Sequence, residues 1–343
     1  MNTPQVLSAQ KNEQGTIVVI VLLVLAVLSF LALELSKETL VDYSGSVYMK
    51  SALSGNALLD SGRLLAKETL ANDLAESKAD YQFEAWGQFD EGLKEVSTEL
   101  ATGVLSGDIY DENALFPINQ LKIIDPKNSE QTKEYQGIFL RILTTLCADL
   151  ELTTGKPEDY LNSIRIWQGE ELSNASADDD WYESQPTEYS RPKRALISPN
   201  ELLLIRWPNA KEGDVEKLYY GTETQLGLRD IITVWGNGPI NMNTAHDAII
   251  KALPADGKKK EEYATAVNQY RGDPTSNFEE AWYISVATFQ GISEENIPSK
   301  VLSFATDTFR VDLKATVGSG EKQEVVIFKR EKEKVTAISS VGR

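Results

Sequence analysis

An uncharged apolar run near the start of the chain is its strongest pattern. From Thr16 to Leu33 the sequence reads TIVVIVLLVLAVLSFLAL, which is 18 residues without a charge. A helix rises about 1.5 Å per residue, so this run measures about 27 Å and can cross the hydrocarbon core of a bilayer. The pattern therefore predicts one membrane-spanning helix.

Beyond this run, apolar residues continue at the spacing of an amphipathic helix up to about Leu70. No proline interrupts the chain between Gln5 and Leu115. One continuous helix from Thr16 to about Leu70 would be about 80 Å long. Small residues weaken its middle and predict a bend or a close packing contact there. They are Ser44, Gly45, Ser46, Ser54 and Gly55.

Farther along, the pattern changes from strands to helices and back to strands. Short β-like alternation covers residues 96–105 and the following segment DIYDENALF. Helical segments dominate from 118 to about 290, and alternating runs return after that. Gly318, Ser319 and Gly320 separate two of these runs and predict a hairpin turn. This order predicts a β-sheet domain that carries a helical insertion.

Composition narrows the classes of function. The formal net charge is −18, which repels nucleic acid phosphates and favours divalent cations or basic partners. Cys147 is the only cysteine, and its helical spacing with apolar neighbours predicts a buried structural thiol. His246 is the only histidine, so a histidine-based metal site or catalytic dyad would depend on it. An enzyme is the least expected class.

The residues before the apolar run form a polar leader, MNTPQVLSAQKNEQG, which ends at Gly15. A secretory signal has a shorter apolar stretch and a small-residue cleavage site after it. The order seen here resembles a type IV pilin-like leader, which implies cleavage between Gly15 and Thr16 by the prepilin peptidase and N-methylation of Thr16. An ordinary single-pass anchor with a polar tail is the alternative. Ile20 stands at the fifth mature position, where most pilins and pseudopilins have Glu.

Four further segments extend the resemblance over nearly the whole chain. They are ADYQFEAW at 79–86, YDENALFPINQL at 110–121, the acidic stretch at 177–206 and GPINMNTAHDAIIKALP at 238–254. Together with the leader and the missing Glu they resemble the protein K family, the minor pseudopilins K of type II secretion systems. The segment SIRIWQGEE departs from the family, because it lacks acids that are common there.

The resemblance implies an α+β fold, with a pilin-like long N-terminal transmembrane helix packed on a small antiparallel sheet and a large, mostly helical insertion. The expected divisions are a leader (1–15), the transmembrane helix (16–33), a periplasmic helix with the first strands (34–117), the insertion (118–290) and the C-terminal strands (291–343). Two modules that resemble SAM-like or helix-hairpin-helix modules are expected in the insertion, at about 118–225 and 226–290.

The implied function is structural. A protein of this family caps the tip of the secretion pseudopilus with minor pseudopilins I and J, and it supports protein export across the outer membrane. The other implied partners are further pseudopilins, the inner-membrane assembly platform and the prepilin peptidase. The implied location is the bacterial inner membrane, with a single membrane pass and the head in the periplasm. No nucleic acid partner is expected.

Clustered acids in the insertion predict a cation site. Ca²⁺ takes about six to eight oxygen ligands, and adjacent carboxylates on a loop supply several of them. The candidate ligands are Asp178, Asp179, Asp180, Glu170 and Glu171. The resemblance implies calcium, since proteins of the K family bind it in this helical region. The alternative is a solvated acidic turn.

Residues 240–248, INMNTAHDA, predict a helix start. Asn243 or Thr244 can accept a hydrogen bond from the first turn, and Asp247 completes a variant of the capping box. The segment also resembles helix-hairpin-helix modules that bind DNA, which leaves a membrane-anchored DNA-uptake protein as one alternative function. A type IV pilus-like minor pilin is the other. Such pilins usually keep the fifth-position Glu and often have a C-terminal disulfide, which a single cysteine cannot form.

Overall fold

The computed structural model of the protein describes residues 11–97, 103–123, 129–236, 238–331 and 334–342. Within these residues the helices are α1 (Lys11–Glu76), α2 (Phe89–Ser97), α3 (Ser129–Asp149), α4 (Pro157–Trp167), α5 (Ala175–Glu183), α6 (Asp214–Tyr220), α7 (Asp247–Ala252), α8 (Lys260–Arg271) and α9 (Trp282–Phe289). The strands are β1 (Val104–Asp111), β2 (Phe116–Pro117), β3 (Ile232–Thr233), β4 (Ile240–Asn241), β5 (Leu302–Ser303), β6 (Thr308–Val317), β7 (Gly320–Glu331) and β8 (Lys334–Gly342).

Helix α1 is continuous, as the sequence predicts, and ends at Glu76 rather than near Leu70. It passes without a break through the small residues of its middle. Its residues 15–50 are exposed, and one 18-residue window has a mean hydropathy of 3.2. By length and composition this half of the helix fits a single-pass membrane anchor.

The C-terminal half of α1 packs on the sheet. Leu58 and Leu70 are buried in this contact. Gly62 lies at a close approach, because an added Cβ would come within 3.1 Å of the side chains of Leu105 and Leu313. A residue without a side chain at this position therefore lets the helix lie directly on the strands.

Four antiparallel strands form the sheet, in the order β1-β6-β7-β8. The predicted hairpin joins β6 to β7, and Val317 pairs with Gly320 across it. Gly318 has φ +60°, which suits the first central position of a tight hairpin turn. Alternate residues of the strands form the core under α1. The buried strand residues of this core are Leu105, Ile109, Phe309, Val311, Leu313, Ala315, Val326, Phe328 and Val335.

The first predicted strand segment is only partly correct. Val96 and Ser97 end α2 instead of starting a strand, and β1 begins at Val104. Residues 98–102, between them, lie outside the described residues. Helix α2 packs beside β1, where the Asp90 carboxylate accepts a hydrogen bond from the Gly107 N–H at 3.2 Å. This contact covers part of the free edge of β1, which would otherwise leave backbone donors unpaired.

Between β1 and β6 the chain forms the helical insertion, which contains α3 to α9. Two short parallel pairs connect its ends to its middle, β2 with β3 at the start and β4 with β5 at the end. One apolar cluster extends from Phe116 to Leu302 and so includes residues on both sides of the predicted 118–290. This cluster takes residues from both predicted modules, 118–225 and 226–290. Their division into two modules stays a prediction.

Candidate functional site

The predicted cleavage junction lies within α1. Gly15 and Thr16 are both helical and exposed, and an added Cβ at Gly15 would meet no atom within 4 Å. Ile20, one turn farther on, is also exposed, at 56%. The junction is therefore sterically accessible along this helix. Cleavage between Gly15 and Thr16 stays a prediction.

The acidic segment is a helix, not the loop that the sequence predicts. Residues 175–183 form α5, and Asp178 points into the protein. Its Oδ2 accepts a hydrogen bond from the Ser163 hydroxyl at 2.9 Å, and its Oδ1 accepts one from Arg206 Nη1 at 3.0 Å. Burial raises the pKa of Asp178, while the bonds from Ser163 and Arg206 oppose that rise.

Three other acids of the predicted set also pair with arginine. Arg191 Nε donates to Asp179 at 2.6 Å, and Arg191 Nη2 lies 3.4 Å from Glu171. Arg165 forms a bidentate pair with Glu170, with N–O distances of 3.0 and 2.7 Å. The hydrogen bond from Arg191 lowers the pKa of Asp179. The cations beside these carboxylates are therefore arginine guanidinium groups of the protein itself.

The calcium site stays a prediction. These ion pairs mean that Ca²⁺ would compete with arginine side chains for the carboxylates. Asp180 is exposed, whereas Ca²⁺ at Asp178 or Asp179 would have to displace a guanidinium. Among the described residues, the acids that bring three carboxylate oxygens within 4.8 Å of one another are Asp73, Asp80 and Glu84. That group lies elsewhere in the fold, and Arg330 occupies it.

The pairing of Asp178 predicts a clear difference within the acidic triplet. We expect Asp178→Ala to lower the free energy of unfolding by about 1.5–3 kcal/mol, because it removes charge-assisted hydrogen bonds to Ser163 and Arg206. Asp180→Ala is the matched control, with an expected change below about 0.5 kcal/mol for an exposed side chain. Urea unfolding of the full chain in detergent measures both. Equal losses in the two variants would contradict the structural role of Asp178.

Calcium binding has a separate test. A ligand that binds only the native state raises the melting temperature. The predicted site therefore requires that millimolar Ca²⁺ raises the melting temperature of the full chain in detergent and that a chelator lowers it. Changing Asp178, Asp179 and Asp180 together to Asn should abolish the response. An unchanged melting temperature of the unaltered chain would leave the arginines as the partners of this segment.

A buried polar cluster joins the sheet to the insertion. Asp111, at the end of β1, accepts hydrogen bonds from the Asn113 N–H at 2.7 Å and from Asn241 Nδ2 at 2.9 Å. The hydroxyls of Thr244 and Thr306 also donate to it, at 2.5 and 2.6 Å. Burial raises the pKa of Asp111, and these donors oppose the rise. The Asp111 carboxylate therefore connects the end of β1, where the chain enters the insertion, with Thr306, where the chain returns to the sheet.

The predicted helix start at residues 240–248 is wrong in its capping residues. His246 caps α7, because its Nδ1 accepts a hydrogen bond from the Ala248 N–H at 3.2 Å. Thr244 donates to Asp111 instead, and Asn243 Nδ2 donates to the carbonyls of Phe278 and Phe304. These polar side chains satisfy buried groups that are distant in sequence, so they are unavailable for the helix end.

A second part of the cluster holds the end of α1. Arg330 on β7 forms ion pairs with Asp73 at 2.5 Å and with Asp80, and all three side chains are buried. Burial raises the pKa of Asp80 to about 7, while the charge of Arg330 opposes that rise. Asp80 also accepts from the Thr306 N–H at 2.7 Å. The cluster thus connects α1, the sheet and the insertion.

The single cysteine and the single histidine of the sequence have structural roles. Cys147 is buried in the insertion core, as predicted, and burial raises the pKa of its thiol to about 11. A thiol with such a pKa carries little thiolate near neutral pH. Burial lowers the pKa of His246, which serves as the cap of α7.

Comparisons with known proteins show a similarity in fold to a solved structure. No family model matches the chain, and no curated protein matches it. Among solved structures, a chain of the GspK-GspI-GspJ complex from the enterotoxigenic Escherichia coli type 2 secretion system is similar in fold. The TM-score is 0.61, and the match covers 87% of this chain and 99% of that chain at 14% sequence identity.

This likeness confirms the fold that the resemblance to the K family implies. The match extends over most of this chain and nearly the whole of the solved chain, so the arrangement of helices and strands agrees over most of the protein. A pilin-like α+β fold with a large helical insertion is therefore shown. At this level of identity the comparison describes the fold and not individual site residues.

Proposed function

We propose that this protein is a minor pseudopilin of the K type, which caps the tip of a type II secretion pseudopilus together with pseudopilins I and J. The observation that carries the proposal is the fold match over 99% of a chain from a complex named for those three components. On this proposal the prepilin peptidase cleaves the leader and methylates Thr16, and the head lies in the periplasm above the inner-membrane assembly platform.

The absence of a carboxylate at Ile20 supports a tip position. In a pilus, the fifth-position Glu pairs with the N-terminal amine of a neighbouring subunit, within an apolar bundle where an unpaired charge is costly. Ile20 offers no such partner to a subunit placed above it. The chain therefore fits the end of the filament better than its shaft.

The helical insertion supports the same position by its size. It fills the chain between the end of β1 at Asp111 and the start of β6 at Thr308 and has its own apolar core. The buried cluster around Asp111 fixes it to the sheet through Asn241 and Thr306. A bulky unit fixed to the head blocks the stacking of another subunit above it. This arrangement suits a cap, and we infer that the cap serves export across the outer membrane.

Co-purification tests the proposal. We expect the full chain, tagged after Arg343 and extracted in detergent from cells with a type II system, to bring pseudopilins I and J with it in equal amounts. A chimera that carries residues 1–57 before an unrelated domain is the control for association through α1 alone. Capture of type IV pilus subunits in place of I and J would contradict the proposal and favour a type IV minor pilin.

A further inference from the structure

A cleft of 660 Å³ lies between the last two helices of the insertion. Its walls are α8, α9 and the loop that joins them. Phe289, the last residue of α9, lines this cleft and is 88% exposed. A single exposed apolar side chain is common on protein surfaces. The other side chains of the cleft therefore decide what it can bind.

Two stacked aromatic rings form part of the cleft wall. The rings of Tyr270 and Trp282 have centroids 4.4 Å apart and planes that differ by 10°. Trp282 is buried, and its Nε1 donates a hydrogen bond to Asn243 Oδ1 at 2.8 Å. The hydroxyl of Tyr270 donates to the Asn277 carbonyl at 2.9 Å, and Tyr270 is only half-buried. These bonds hold both rings in place, so the aromatic wall is already formed in the free protein.

The charged side chains of the cleft lining are all acidic. Asp273 and Glu280 line the cleft, whereas its lining contains no lysine, arginine or histidine. Hydrogen bonds from the hydroxyl and the N–H of Thr275 lower the pKa of Asp273. Lys259 contacts one end of the cleft, where its Nζ donates to the Gln290 carbonyl at 2.6 Å. That lysine thus contacts a carbonyl at the end of α9, and the two lining carboxylates face solvent.

The surrounding sequence has the same excess of negative charge. Residues 272–299 contain no lysine or arginine, and their acids are Asp273, Glu279, Glu280, Glu294 and Glu295. Elsewhere in the insertion arginines pair with acids, as Arg165 does with Glu170 at 2.7 Å. Within the part of the chain that the structure describes, no acid of 272–299 forms an ion pair. A positively charged partner can therefore supply the cation that the protein itself does not.

We propose that this cleft binds a basic segment of a partner protein, with an arginine or lysine side chain held by Asp273, Glu280 and the Tyr270 ring. The face of an aromatic ring attracts a cation, and a guanidinium also stacks on it. Phe289 would cover the apolar stem of the same side chain. The net charge of −18 attracts basic proteins and repels nucleic acid phosphates, so the segment of a basic protein is the favoured occupant.

The cleft lies within the insertion, so the inference holds whether or not the protein caps a type II pseudopilus. The test uses the full chain in a neutral detergent at about 150 mM salt, which screens exposed charges beyond about 8 Å. The probe is a capped peptide of sequence Gly-Arg-Gly-Arg-Gly. Peptides with Gln or Glu in place of both arginines are the comparison probes. Calorimetry should show binding of the arginine peptide and no binding of the other two.

A pair of acid substitutions locates the site. Asp273→Asn combined with Glu280→Gln should weaken binding of the arginine peptide about fivefold, because it removes both carboxylates of the lining. Glu294→Gln combined with Glu295→Gln is the matched control. These two acids are exposed, belong to the same acidic segment and do not line the cleft. The control should bind within about twofold of the unaltered chain, since distant charges are screened.

Phe289→Ala tests the aromatic contribution separately. We expect about threefold weaker binding of the arginine peptide, because the variant removes ring surface next to the bound cation. Phe289 is exposed, so the variant leaves the core of the insertion unchanged. Ile197→Ala is the control, since Ile197 is 64% exposed and lies outside the cleft lining. It should bind like the unaltered chain.

Four results would overturn the inference. Absence of binding of the arginine peptide excludes a cation site, and equal binding of the glutamine peptide shows that charge is not recognised. An equal loss in the control with Glu294 and Glu295 changed reports net charge only. Self-association of the unaltered chain that Phe289→Ala abolishes assigns the cleft to a second copy of this protein. Failure of the co-purification with pseudopilins I and J would leave all these measurements unchanged, so the two proposals fail separately.

Discussion

Replacement of Arg330 by Met should lower the free energy of unfolding by about 3–5 kcal/mol, because it leaves two buried carboxylates without their cation. Those carboxylates are Asp73 at the end of α1 and Asp80 in the following loop. The change also removes the contact of the guanidinium with the Phe309 ring, whose centroid lies 4.4 Å away. Urea unfolding of the full chain in detergent, followed by tryptophan fluorescence, measures the loss.

Two controls separate burial from the loss of charge. Arg63→Met removes an arginine of α1 whose ion pair with Asp60 is on the surface, and it should cost less than about 1 kcal/mol. Combining Arg330→Met with Asp73→Asn and Asp80→Asn should recover most of the stability, since no buried charge is then left unpaired. A loss below 1 kcal/mol in Arg330→Met, or no recovery in the triple variant, would contradict the role of Arg330.

Replacement of Gly15 by Leu should stop processing of the leader. The resemblance to the pilin-like leader implies a small residue before the cleaved bond. An added Cβ at Gly15 meets no atom of this protein within 4 Å, so the larger side chain fits the helix itself and acts only on cleavage. We expect the unaltered chain to begin at an N-methylated Thr16 and the variant to keep its leader. N-terminal sequencing and intact mass of the membrane-extracted protein distinguish the two forms.

Gly45→Leu is the matched control for processing. Gly45 lies in the same helix, and an added Cβ there also meets no atom within 4 Å. This variant should therefore be cleaved normally. An unaltered chain that begins at Met1, or a cut after the apolar run at 16–33, would contradict the pilin-like interpretation. Either result would favour the alternative, an ordinary single-pass anchor with a polar tail.

Local patterns in the sequence predict the long helix, the hairpin and the helical insertion correctly. Helix α1 follows from the 18 uncharged residues at 16–33 and from the absence of proline between Gln5 and Leu115, because a helix depends on residues that are close in sequence. The turn at Gly318 is likewise local, since glycine at that position accepts φ +60°. Burial of Cys147 follows from its helical spacing with other apolar residues.

Part of the buried polar cluster around Asp111 and Arg330 could have been recognised from strand alternation. Asp111 follows Leu105 and Ile109 on the inward face of β1, and Arg330 follows Val326 and Phe328 on the inward face of β7. A charged residue at an inward position indicates a buried partner of opposite charge or a set of donors. The pattern shows that partners exist, but it does not show which residues they are.

The partners themselves are decided by the tertiary structure. Asn241 lies 130 residues from Asp111 in sequence, and Arg206 lies 28 residues from Asp178. The sequence of the acidic segment alone allows a calcium loop, a solvated turn and a helix held by arginines. Packing places Arg165, Arg191 and Arg206 against those acids. A charge in a low-dielectric interior needs a partner within a few ångströms, and only the folded chain determines which distant residue comes that close.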